Sequence, residues 1–297
     1  MKKLVFLCIL SLFSLAFAEN KTSLTVLSEG IEPRRVISYR SQIGLKQSAE
    51  LTMEMHMGMT MEGTDFPKQS FDTPLPTVIM SLTAEIIDIE DGITTASFGY
   101  GDVKLEKGGD PELYKAMETT MQSLTKVKGS TSYDSRGNVI DFSVEIPDDM
   151  PAELMQYLEQ TKDLISQMMF PLPDVPLGLG ASWQVVQPIT NQGMTITQKT
   201  TYTIMEMDET FITFYTDLQQ SAAPQKLDVP DLPPTATIEL ESFTGHGRGR
   251  VTISLDSLFP TSSKSSGESD MTMLITAPEG ELTQTLNMNI DMSLSSQ

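Results

Sequence analysis

Apolar and polar residues alternate along most of this chain, which predicts an α+β, mostly β fold: a strongly curved antiparallel sheet or open barrel with two helices packed on its concave face. Three observations carry that reading. Period-two patterning places successive side chains on opposite faces of a strand, and it recurs from about Ile37 to Leu294. Turn chemistry such as Glu90-Asp91-Gly92 and Asp134-Ser135-Arg136-Gly137 separates the alternating runs at hairpin spacing. Only two stretches, near 110–125 and 150–170, carry the 3.6-residue period of an amphipathic helix.

The first residues read as a leader. Lys2 and Lys3 form a basic start, Leu4 to Phe17 is an apolar run, and Ala16-Phe17-Ala18 is a small-x-small cleavage site. Residues 1–18 are thus expected to be a secretory signal peptide, with the mature chain starting at Glu19 in the periplasm or outside the cell. No later run approaches ~18 apolar residues, so no transmembrane span is expected after cleavage. The one cysteine, Cys8, leaves with the leader, and with it any disulfide, thiolate ligand or cysteine nucleophile. The chain has 20 basic and 40 acidic residues; without Lys2 and Lys3 its formal charge moves from −20 to −22. Such a chain lacks the basic patches that nucleic acid needs, and anionic membrane surfaces would repel it.

Taken in order, Ile37, Tyr39, Ile43 and Leu45 share one face of a segment leading into Leu51–Glu62. There Met53, Met55, Met57, Met59 and Met61 occupy every second position, which makes one strand with a continuous thioether stripe. Val78, Met80, Leu82, Ala84 and Ile86 form the next strand, and a phase change at Ile87 and Ile89 predicts a β-bulge near Ile86. Strands at 93–105, 129–133 and 138–145 follow, the last two joined by the Asp134–Gly137 turn. The first helix starts at Asp110-Pro111-Glu112, with an N-cap, proline at the first turn and an acidic residue beside it. Its buried stripe is Leu113, Met117, Thr120, Met121 and Leu124. The second helix runs from about Asp149 to Phe170 and buries Leu154, Tyr157, Leu158, Leu164, Ile165, Met168 and Met169.

Pro171 to Pro176 is a proline-stiffened connector. It divides a first β-rich part, 19–176, from a second, 177–297, the two forming one continuous domain. Strands are expected at Trp183, 194–207, 211–219, 235–243, 246–255, 271–277 and 281–294, with a loop at 221–234 and a polar loop or frayed strand edge at 262–270. The Met-x-Met theme recurs at Met205–Met207 and Met271–Met273, and duplication and chance both account for it.

Several of these segments resemble a family of exported bacterial proteins classed as a domain of unknown function. They are Ser38-Tyr39-Arg40 before a Met/Thr-rich strand, the Asp134–Asn138 hairpin before a helix, Pro171-Leu172-Pro173 followed by Leu177-Gly178-Leu179-Gly180-Ala181-Ser182-Trp183, and Thr200-Thr201-Tyr202. The resemblance brings no activity and no catalytic residues. At the level of fold alone, curved strands embracing helices are similar to LolA/LppX-type lipoprotein and lipid carriers.

The thioether stripe has three readings: ordinary core beneath the second helix, a pliable groove for a lipid or other apolar ligand, or a soft-metal site for copper or silver. The groove would be lined by Met53, Met55, Met57, Met59, Met61, Met155, Met168 and Met169. For shared metal coordination, the stripe would need methionines from an adjacent strand, such as Met80 or Met205, because neighbours on one strand lie about 6.6 Å apart. His56 points to the other face. Gly245, Gly247 and Gly249 share the side of Val251, Ile253 and Leu255, so that a helix or ligand can approach the sheet closely, with His246, Arg248 and Arg250 outside. Ser123-Leu124-Thr125-Lys126 lies at a helix end, and Asp88–Gly92 reads as a turn better than as a calcium loop. No catalytic constellation, metal site or cofactor is expected, and the chain reads as a non-enzymatic binding protein, with a methionine-based soft-metal binder and an envelope structural or interaction protein with a filled core as the alternatives.

Overall fold

The computed structural model describes residues 22–63, 66–106, 108, 111–145, 169–191, 194–227, 232, 235–278 and 280–296, with the short strand Ala16–Phe17. In chain order the elements are β1 (Ala16–Phe17), β2 (Ser23–Ser28), β3 (Lys46–Gly63), β4 (Phe66–Pro74), β5 (Val78–Glu90), β6 (Ile93–Leu105), α1 (Pro111–Leu124), β7 (Lys128–Asp134) and β8 (Val139–Glu145). There follow β9 (Ser182–Asn191), β10 (Met194–Met207), β11 (Phe211–Ala222), β12 (Gln225–Leu227), β13 (Thr237–Ser254), β14 (Ser262–Ala277) and β15 (Gly280–Ser296).

All fifteen strands join one antiparallel sheet in the order β1-β9-β10-β11-β13-β14-β15-β3-β5-β6-β7-β8, with β2 beside β9, β4 beside β3 and β12 beside β13. The mostly β, antiparallel expectation therefore holds. The sheet is not closed by strand pairing between β8 and β9 among the described residues. It curls nonetheless, because residues from both ends share one buried cluster. Trp183, Tyr202 and Phe214 of β9–β11 meet Ile86, Ala96 and Tyr133 of β5–β7.

Two non-strand crossings staple the ends together where the ladder stops. Residues 35–43 and 169–181 run between them, joined by a bridge between Arg35 and Leu177. Tyr39 N–H donates to Ser135 O at 2.8 Å, Arg40 N–H to Leu255 O at 2.7 Å and Leu172 N–H to Arg136 O at 2.8 Å. The Arg136 guanidinium ties both crossings, donating to Ile37 O and, at 3.1 Å, to Pro173 O. These bonds satisfy backbone groups that no neighbouring strand reaches.

Several expectations need correction. Residues 37–45 are not a strand: Ile37 and Tyr39 are buried by the crossing, while Ile43 is exposed before a turn at Gly44. One helix is described, α1, which starts at Pro111 and buries Met117, Met121 and Leu124 as read from its stripe. The expected second helix lies outside the described residues except for Met169 and Phe170, which are not helical. Segments 235–243 and 246–255 are one strand, β13, and of the two readings of 262–270 the strand holds, as the start of β14. The bulge expected near Ile86 lies between Ile86 and Asp88, and a second occurs between Met80 and Leu82. No described helix is long and apolar enough to cross a membrane.

The shared cluster contains three tyrosines whose phenols burial pushes upward. Tyr202, stacked on Trp183 with ring centroids 5.4 Å apart, is raised from 10.0 to about 12 by desolvation, partly offset by a hydrogen bond with Thr200. Burial also raises Tyr39 and Tyr133, and the Tyr39 hydroxyl exchanges hydrogen bonds with the Phe170 backbone. An unfolded tyrosine ionises near 10 while the folded one still holds its proton, so the folded state binds more protons above that pH. The tyrosines' contribution to stability is expected to be constant below about pH 10 and to fall from there through about 12, read by Trp183 fluorescence. Tyr202→Phe should make that fall shallower.

Candidate functional site

The methionine strand forms as its periodicity dictates and its apolar stripe faces inward. Met53, Met55, Met57 and Met59 are buried, and Met61 packs partly buried against the same cluster. The intervening residues face out: His56 contacts Asp72 of β4. Register sets the stripe against β15, with Met57 opposite Met288, Met53 opposite Met292 and Met55 opposite Ile290. Met80, Met117, Met121, Met194, Met271 and Met273 belong to the same cluster, so the core is thioether-lined on several sides. The buried Gln284 amide donates to the Met59 sulfur at 3.2 Å, an unusual way of satisfying a polar group in such a core.

Of the remaining groove residues read from the sequence, Met169 is buried in the other cluster, beside Trp183 and Leu172, and does not join the stripe. Met155 and Met168 lie outside the described residues. Met80 sits opposite Leu51 at one end of the stripe, whereas Met205 is 51 % exposed at a bulge in β10 and is not a neighbour. On the other side of β3 the adjacent-strand methionines are Met288 and Met292, which sequence spacing could not assign because β15 is so distant along the chain.

Between the two clusters the inner face is only partly covered. One ladder row runs Met55–Ile290–Gly267–Gly247–Leu218, and its members after Met55 are half-buried. Met292, Ser265 and Thr216 continue the same half-buried zone in the next row. The glycines lower the floor, and neighbouring β11 side chains lean over them. A Cβ on Gly249 would lie 2.8 Å from Thr216 Oγ1, one on Gly245 2.8 Å from Gln220 Oε1, and one on Gly247 3.4 Å from a Leu218 methyl. Among the described residues, the close approach that these glycines permit is therefore between β11 and β13. His246, Arg248 and Arg250 are on the outer face, as the alternation requires.

The other candidate chemistries resolve into structure. Ser123 Oγ donates to Thr119 O inside α1 at 3.0 Å, and Asp91 and Gly92 take positive φ in the two-residue turn from β5 to β6. Among the described residues no group of three His, Asp or Glu side chains could hold a metal ion. That geometry does not concern thioethers.

No family model matches the chain, and no curated protein does. Among solved structures it is similar to the outer membrane protease OmpT from Escherichia coli at 10 % identity and a TM-score of 0.24, covering 84 % of this chain and 95 % of that one. The toluene transporter TodX of P. putida matches at 7 % identity and 0.22, over 86 % and 90 %. A mutant Rh. blastica porin matches at 7 % and 0.19, over 81 % and 99 %. Scores of this size reflect many antiparallel strands in sequence and carry no argument about ancestry or activity.

Proposed function

We propose that this protein is an exported, non-enzymatic envelope protein that binds or carries a lipid or other apolar molecule against the inner face of its sheet. The observation that supports this reading is the half-buried strip Leu218–Gly247–Gly267–Ile290–Met292, which lies beside the methionine core. Its side chains are only half-buried, and the flanking thioethers can repack around varied apolar shapes. Burying a single aliphatic side chain's worth of ligand would contribute about 1.5–3 kcal/mol. The leader-like start at residues 1–18 supports an envelope or extracellular location.

A second reading, thioether binding of copper(I) or silver(I), is favoured by one observation: Met57 faces Met288 directly across the ladder. Opposed Cβ atoms in such a pair lie about 4.5–5.5 Å apart, within reach of shared coordination. One experiment separates the two readings. Native mass spectrometry of protein isolated from its own envelope is expected to show a co-purifying apolar molecule. Met57→Leu with Met288→Leu should keep that molecule and cost less than about 1.5 kcal/mol per site. A metal adduct lost in the same variant would replace the first reading with the second, and neither adduct would reject both.

A further inference from the structure

The outer face of the four longest neighbouring strands, β13, β14, β15 and β3, carries a depression of about 390 Å³ and an adjoining one of about 400 Å³. Its charges are arranged against ordinary sheet economy. One ladder row runs Arg250–Lys264–Ser293–Thr52 and the next Arg248–Ser266–Asp291–Glu54. Two cations thus face each other directly, as do two carboxylates, and directly opposed like charges destabilise a sheet. Exchanging two residues would convert both into ion pairs, yet the signs stay segregated, with serine hydroxyls between them.

The neighbours offset only the two arginines of this pattern. Arg250 pairs with Glu206 at 2.6 Å and Arg248 reaches Asp217 at 3.6 Å, both on the side away from β15. Lys264, Asp291 and Glu54 are exposed and make no ion pair among the described residues. A chain with twice as many acidic as basic residues thus leaves one lysine unpaired next to two arginines, with two unpaired carboxylates across a serine floor.

We propose that this trough binds a small zwitterion, with an anionic group such as a phosphate ester on Lys264 and Arg248, and an ammonium on Asp291 and Glu54. Ser266 and Ser293 lie between the two charged ends and supply hydroxyls to the linking atoms. The ligand offsets both like-charge pairs at once, which a simple anion or a simple cation cannot do. The site is on the opposite side of the sheet from the methionines, so it stands or falls apart from the apolar cargo.

Calorimetric titration of the full protein with O-phosphoethanolamine, ethyl phosphate and ethanolamine tests the assignment. The zwitterion is expected to bind about five- to tenfold more tightly than either half, and Lys264→Ala and Asp291→Asn should each weaken it by a similar factor. Capture on phosphatidylethanolamine vesicles, lost in both variants, would identify a lipid headgroup as the source; binding of the soluble compound alone would identify a free metabolite. Thermal unfolding of the unliganded variants should match or exceed that of the parent, because each variant relieves a repulsion. Absence of binding to both soluble and vesicle forms, equal binding of ethyl phosphate, or destabilised variants would each overturn the proposal.

Discussion

Trp183→Ala is expected to lower the unfolding free energy by about 3–5 kcal/mol. The indole is fully buried, stacked on Tyr202 and edge-on to Phe214 at 5.4 Å from each ring. Its Nε1–H donates to Pro171 O at 2.9 Å. Truncation would open a cavity where both ends of the sheet meet and take the donor from a part-buried carbonyl, two costs that add. Domains of this kind are stable by only about 5–15 kcal/mol, so the variant would approach its unfolding threshold. Urea unfolding followed by far-UV circular dichroism measures the loss, and a value under about 1.5 kcal/mol would mean that the cluster does not hold the ends together. Trp183→Phe should fall between the two, since it keeps the stacking and loses the hydrogen bond.

Gly178→Ala should cost about 3 kcal/mol, at the upper end of what overpacking brings. A Cβ there would sit 1.9 Å from Ile31 O and 3.0 Å from its carbonyl carbon, and backbone cannot swing aside as a flexible side chain can. The neighbouring Gly180 is a useful contrast. It has φ +75° but nothing within 4 Å of its Cβ position, so Gly180→Ala pays only left-handed strain of about 1–2 kcal/mol. Thermal unfolding of both variants distinguishes crowding from backbone conformation. Equal effects would show that residues 30–35 can retreat from the crossing.

What the chain disclosed in advance follows a physical pattern. β3, β5 and β6 are buried on one face, so their alternation is sharp, and even the bulge after Ile86 shows as a phase change. β2 and β4 are exposed on nearly every residue, so no alternation marks them. The continuity of β13 across Thr244 and Gly245, and the paired start of β14 in its serine-rich run, are obscured by residues that look like strand breakers. They are held extended by long partners on both sides and need no propensity of their own. Ile37 and Tyr39 reveal their burial but not its cause, because two crossings cover them rather than a ladder. Met169 has the right chemistry for the stripe, yet residue type cannot say which of two cores it enters. The pairing of Met57 with Met288 depends on a contact across more than two hundred residues, which local pattern does not encode.

Among the described strands, the one that completes the sheet comes last. β15 lies between β14 and β3, so until residues 280–296 have been made, β3 has a bare hydrogen-bonding edge and an uncovered row of sulfurs. Exposed edges of this sort recruit the wrong strands, and contacts spanning nearly a whole chain form slowly. Such a polypeptide has to be kept apart from its own copies throughout synthesis.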